Sequence, residues 1–294
     1  MRVLITGSSG LIGSALAHRL EADDHQVTKL RRGSEWDPEG GRCDPAAVAG
    51  HDAIVHLAGA GIGDHRWSAA HKRRVLDSRV NGTGALTRAL AGLDEKPTVL
   101  VSSSAVGYYG NRGSETLTEE SAPGDDFLSE VCTKWETAAQ PAADAGIRLV
   151  TLRTGIVLSS HGGALAPLLP LFKLGMGGRL GSGQQYWSWI TIDDEVEAIM
   201  HCITNESVRG AVNATGPEPV TNAEFASTLG KVLHRPAVVP VPRFALAARL
   251  GGEAADVMLL AGQRVLPAKL EATGFTFRHR TLEQGLRHVL GKVG

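Results

Sequence analysis

The chain has 294 residues, 43% of them hydrophobic and 21% charged, and its 30 basic against 31 acidic side chains leave a formal charge of −1. A chain of this length can bury a core without disulfides or metal, and this composition excludes intrinsic disorder and collagen-like repeats. The near balance of charge gives no global reason for nucleic acid or an anionic membrane to bind.

Apolar, β-branched runs alternate with longer helical patterns through the first two-thirds of the chain, the rhythm of a parallel sheet covered on both faces. The first strand, Val3–Thr6, leads directly into Gly7, Gly10 and Gly13 and then the helix Leu11–Glu21. Glycines between a strand and a helix permit a tight turn, close approach of backbone to a pyrophosphate, and exposure of helix N-terminal N–H groups to the anion. The candidate contacts are Gly7, Ser9, Gly10, Leu11, Ile12 and Gly13. The second strand, Gln26–Leu30, runs into Arg31 and Arg32 where an NAD site usually carries an acidic residue for the ribose hydroxyls. Guanidinium groups there pair with a 2′-phosphate, so NADP(H) is expected over NAD(H); the competing reading makes both arginines solvated loop charges.

Further strands are expected at Ala53–His56, Thr98–Ser102 and Arg148–Arg153, with helices at Ser68–Leu90 and Leu128–Gln140. Lys72, Arg73 and Arg74 read as a solvated stripe on the first of these helices, not as a nucleic-acid contact. After Gly155 the rhythm breaks into a Gly/Pro-rich stretch around a helix candidate, Ala164–Leu174. The sheet is expected to regain strands at Trp189–Ile192 and Ala211–Asn213, with a helix Asp193–Thr204 between them. Thr221 and Glu224 form a capping-box pair, Val239–Arg243 is proline-rich, and a last helix covers Thr281–Leu290. The expected fold is α/β: a Rossmann-type doubly wound parallel sheet in the order 3-2-1-4-5-6, with a smaller C-terminal substrate lobe. The third strand has no assigned position beyond lying before His51. Residues 1–215 make the dinucleotide domain, with the insertion 156–188 contributing to the substrate lobe, and residues 216–294 complete that lobe.

Three scattered cysteines without a Cys-x-x-Cys pair argue against a disulfide framework and for a reducing cytoplasm. The N-terminus reads as a strand, not as a secretory signal. No apolar run approaches the roughly 20 residues of a membrane span. The histidine spacings match no metal motif.

HLAGAG at His56–Gly61, SSSAVGYYG at Ser102–Gly110 and WSWITIDD at Trp187–Asp194 resemble the extended short-chain dehydrogenase/reductase superfamily. VCTKWE at Val131–Glu136, RTGIVLS at Arg153–Ser159 and GQRVLPAKLEATGF at Gly262–Phe275 are similar to its atypical NAD-dependent epimerase/dehydratase branch, whose members end in a small family-specific domain, here about 245–294. The resemblance implies hydride transfer at a nicotinamide, with cofactor contacts at Leu57, Ala58, Gly59, Arg79, Arg153 and Val157. It also implies that Ser104 bonds the substrate oxygen, that Asn81 is scaffold, and that Asp193 and Asp194 cap a helix.

In that superfamily a Tyr and a Lys one helical turn apart handle the proton. The chain's tyrosines are Tyr108, Tyr109 and Tyr186, and none has Lys four residues on; Cys132 and Glu136 stand in the dyad positions. Lys134 lies on the far side of the helix. Cys132 is either an apolar packing residue or a proton carrier, and Tyr109 is a second candidate acid unless the neighbouring phenols simply pack. Two functions follow. One is an NADP(H)-dependent oxidoreductase or epimerase acting on a small, sugar-nucleotide-like substrate; the other is an inactive NADPH-binding sensor or scaffold. Partners are then a small molecule and a second copy through the two long helices, with no nucleic acid or membrane.

Overall fold

A computed structural model describes residues 1–292. Six strands form the central sheet: β1 (Arg2–Thr6), β2 (Gln26–Leu30), β3 (Ala53–His56), β4 (Val99–Ala105), β5 (Arg148–Thr154) and β6 (Gly210–Ala214). Their spatial order is β6-β5-β4-β3-β1-β2, and every pairing is parallel. Val3, Leu4 and Ile5 are all fully buried, because helices cover both faces and leave no solvent side to alternate toward. Helices α1 (Leu11–Ala22) and α4 (Ile192–Thr204) cover one face; α2 (Ala69–Ala91) and α3 (Phe127–Asp144) pack together on the other. Ser68 caps α2 and Asp126 caps α3, each accepting a backbone N–H in the first turn. No described helix is long and apolar enough to cross a membrane.

The expected third strand is not in the sheet, so β2 is an edge. Trp36–Asp37 instead pairs antiparallel with Arg42–Cys43 across a turn rich in glycine. Trp36 is 2% exposed and turns edge-on to the His56 ring, while Pro38 fills the space left by the missing side chain of Gly82. The hairpin thus lies over α2. The strand expected to return at Trp189–Ile192 is Trp189–Thr191, and it pairs with Ile156–Ser159 in a separate three-stranded sheet. Gly155 makes this departure possible: a Cβ there would lie 2.4 Å from the Ser188 carbonyl oxygen. Thr191, not Asp193 or Asp194, caps α4; Asp194 accepts the Arg278 and His279 N–H groups and so ties the C-terminal segment to that helix.

The segments expected to form a second lobe share a hydrophobic core around Phe172, Trp187, Trp189, Phe225, Leu229 and Leu286. Its helix from the Gly/Pro-rich stretch is Leu169–Lys173, shorter than expected, since Pro167 and Pro170 cannot donate to a helix that begins earlier. The capping box of Thr221 with Glu224 is present, and a second joins Thr281 to Gln284. The chain then returns to the first lobe, where Arg264–Val265 pairs with Thr116–Leu117.

Candidate active site

The turn after β1 is built by exclusion. Gly7 sits at φ +69°, and a Cβ on it would come within 2.8 Å of the Leu57 backbone; one on Gly13 would lie 2.3 Å from the Gly7 carbonyl oxygen. Strand end, turn and helix are therefore in contact through backbone. Gly10 begins α1 without any side-chain cap, and Ser9 and Gly10 are exposed, so the first N–H groups of the helix, at Leu11 and Ile12, face outward. This is the cradle and dipole end that a pyrophosphate requires. Beneath it, His56 Nδ1 lies 2.7 Å from Thr6 Oγ1 and Nε2 lies 2.9 Å from Thr83 Oγ1, which also accepts the Trp135 indole N–H. Burial pulls the His56 pKa down to about 4, with Arg79 adding to the effect, so this tie between β1, β3, α2 and α3 is neutral.

A cleft of about 410 Å³ runs from Ile12, in the first turn of α1, toward the second lobe. Ile12, Leu57 and Arg79 line its near end, Ser104, Cys132 and Trp135 its middle, and Tyr186, Trp187, Met258 and Gln263 its far wall. The guanidinium of Arg79 packs against Gly59, where a Cβ would lie 3.0 Å from its central carbon. Arg79 is 7% exposed and donates to the carbonyls of Ala60 and Val75, but its Nε has no partner among the described residues. Burial lowers its pKa to about 10, which leaves it cationic at neutral pH. An orphaned buried cationic N–H beside the glycine cradle fits a phosphate-bearing dinucleotide.

Ser104 and Cys132 are brought together, as the sequence positions imply. Ser104 Oγ donates to Glu136 Oε1 at 2.7 Å, and Glu136 also receives Arg153 through Nε at 2.8 Å and Nη2 at 2.9 Å. Burial and then the Glu136 charge push the Cys132 thiol up to about 11, so it keeps its proton at neutral pH. Lys134 points away from the cleft and pairs with Glu130.

Tyr109 is misplaced for the role expected of it. It is fully buried, donates to Asn213 Oδ1 at 2.7 Å and accepts from Arg153 Nη1 at 3.0 Å, while burial raises its pKa to about 12. It locks β6 to β5 and does not line the cleft. Arg153 is likewise an internal strut: its guanidinium lies 3.4 Å from the Tyr108 ring centre and is spent on Glu136 and Tyr109. Val157 is part of the core, and Thr154, Gly155 and Ile156 line the cleft in place of Arg153 and Val157. At the other end, Arg31 and Arg32 are exposed after β2, and Arg32 pairs with Glu39 at 3.6 Å. Tyr186, Trp187 and Gln263 escaped sequence reasoning; only the motif words WSWITIDD and GQRVLP pointed to their segments, and neither told which side chains face the cleft.

A family model described as NAD dependent epimerase/dehydratase family matches residues 3–214, and one described as a domain of unknown function, DUF1731, matches residues 241–289. An epimerase family protein of Mycobacterium bovis, Mb2239, is 45% identical over 99% of this chain and 98% of its own. Human epimerase family protein SDR39U1, solved with NADPH, is 38% identical, covers 100% of both chains and superposes with a TM-score of 0.91. A nucleoside-diphosphate sugar epimerase from Corynebacterium glutamicum is also 38% identical, with a TM-score of 0.81 over 99% of this chain and 58% of that one. With a model spanning most of the sequence and relatives aligned over nearly all of it, the chain belongs to the NAD dependent epimerase/dehydratase family.

Proposed function

We propose that the protein binds NADPH and acts as an oxidoreductase or epimerase on a small substrate held between the two lobes. One observation carries the reading: a single cleft runs from Ile12, in the first turn of α1 just after the glycine turn, past Ser104 and Cys132 to side chains of the second lobe. The turn and α1 N-terminus hold the pyrophosphate, Leu57–Gly59 and Arg79 border it, and Arg31 and Arg32 take the 2′-phosphate. The human relative solved with NADPH supports this choice. The bound cofactor supplies a hydride at its nicotinamide ring.

The residues of the chain supply position and proton. Ser104, its own proton committed to Glu136, accepts a hydrogen bond from a substrate hydroxyl. Cys132 carries the exchangeable proton in the place of the family's usual tyrosine. The second lobe, from residues 156–188 and 216–294, selects the substrate through Tyr186, Trp187, Ser188 and Gln263. Among the described residues the only charged one lining the cleft is Arg79, so an uncharged carbonyl or hydroxyl compound fits it better than a nucleoside-diphosphate sugar.

Loss of NADPH fluorescence across a panel of small carbonyls tests the reading. Cys132→Ala is expected to lower turnover by about 10²–10⁴-fold, the usual worth of a general acid. Tyr186→Phe, on the opposite wall, is expected to change KM more than kcat. Full turnover in Cys132→Ala would remove the thiol from the mechanism. A second reading, an NADPH-responsive scaffold without turnover, draws on the Glu136–Arg153 pair, which puts a neutralised ion pair where the family has a lysine. Tight NADPH binding with no turnover on any carbonyl would favour it.

A further inference from the structure

This inference rests on the NADPH reading above and concerns how the adenosine end is selected. Beside the cofactor cleft, a second cavity of about 470 Å³ is lined by Glu39 from the hairpin turn and by Arg73, Arg74, Asp77 and Ser78 from α2. Ser78 Oγ accepts the N–H of Ala60, the residue following Gly59, and its neighbour Arg79 lines the main cleft. The two cavities therefore flank the same loop, one leading to the nicotinamide position and the other lying where the adenosine half must run. Glu39 bridges the walls of this second cavity: Arg32 lies 3.6 Å from its Oε1 and Arg74 lies 3.8 Å from the same oxygen. Arg32 comes from the end of β2 and Arg74 from α2, some forty residues apart in sequence, so the carboxylate organises two guanidinium groups that otherwise have no reason to converge.

We propose that Arg74 is an additional arm of the 2′-phosphate site and that Glu39 is an internal anion occupying it, displaced when the cofactor phosphate binds. All three side chains are half exposed, so each can rotate without disturbing the core. The long separations mark loose ion pairs, weaker than the paired, charge-assisted bonds a phosphate makes with the same groups. Glu39 holds the two arginines near each other while repelling the phosphate they await, and so sets the affinity for NADPH below what the arginines alone would give. Asp77, the cavity's other carboxylate, lies on the turn after Arg74 and pairs with neither arginine.

Calorimetric titration of the full chain with NADPH and with NADH, at low and high salt, tests the proposal. Removing one charge a few ångströms from a phosphate in a solvated site is worth about three- to tenfold. Glu39→Gln is therefore expected to tighten NADPH by about that factor and leave NADH unchanged, with the gain shrinking at high salt. Arg74→Gln is expected to weaken NADPH by a similar factor and spare NADH. If Glu39→Gln leaves NADPH unchanged or weakens it, or weakens NADH, the carboxylate is not a competing anion. If Arg74→Gln spares NADPH, the arm is not part of the site. Both results overturn this inference while wild type still binds NADPH; wild type binding no NADPH would instead overturn the proposed function, and this inference with it. Circular dichroism on both variants separates lost binding from lost fold.

Discussion

Gly13 tolerates no side chain: a Cβ would stand 2.3 Å from a backbone oxygen that has nowhere to go. Gly13→Ala is expected to lift α1 from β1, cost about 1–3 kcal/mol of stability as overpacking does, and weaken NADPH at least tenfold, checked by urea titration and calorimetry. This residue was legible in the sequence because its constraint is local, a glycine at fixed spacing between strand and helix. Tyr109 was not. Two adjacent phenols give no sign of which turns inward, and the partners that bury Tyr109, Arg153 and Asn213, come from strands β5 and β6 far along the chain. Arg153 failed for the same reason, since its ion pair with Glu136 exists only once β5 and α3 are packed. That Ser104 and Cys132 line one cleft could be anticipated, because both lie in motifs whose position on strand and helix sets where they face.

At the scale of elements, α3 carries Cys132 and Trp135 into the cleft, with Glu136 behind Ser104, and its start is fixed by Asp126, which accepts the Ser129 N–H. Asp126→Ala is expected to cost about 1 kcal/mol, read as a lower urea midpoint with the slope unchanged; a loss near zero would mean that packing alone sets the helix start. Strands of the sheet were legible as segments rich in apolar, β-branched residues, and helix starts as Ser68, Thr221 and Thr281. The hairpin Trp36–Cys43 was not, because two-residue strands carry no periodicity and Trp36 is buried by a helix that begins over thirty residues later. The Trp189–Thr191 strand was placed in the wrong sheet: an apolar run shows that a segment is buried, and says nothing of which strand it joins.

Across the whole molecule, one buried acid lies behind the wall of the cleft. Glu195, on α4, is fully buried; Thr154, which lines the cleft, donates to its Oε1, and its Oε2 has no partner among the described residues. Burial raises its pKa to about 8 from an ordinary value near 4.5. The folded state then holds a proton that the unfolded chain has lost, so stability falls as pH rises from about 4.5 to about 8, by up to ~1.4 kcal/mol per unit. His56 works in the opposite sense at lower pH: its depressed pKa means stability rises from about 4 toward 6.5. The difference between wild type and Glu195→Gln isolates the acid. The variant is expected to gain on wild type steadily between pH 5 and pH 8 in urea titrations, and parallel curves would show that Glu195 is ionised throughout. The proposed function requires this scaffold to hold a phosphorylated dinucleotide at the glycine turn. Isothermal titration of the purified wild-type chain with NADPH, and separately with NADH, tests that claim directly. Saturable heat with NADPH and much weaker binding of NADH is the predicted result; no heat with either coenzyme, from protein that is folded by circular dichroism, would contradict it.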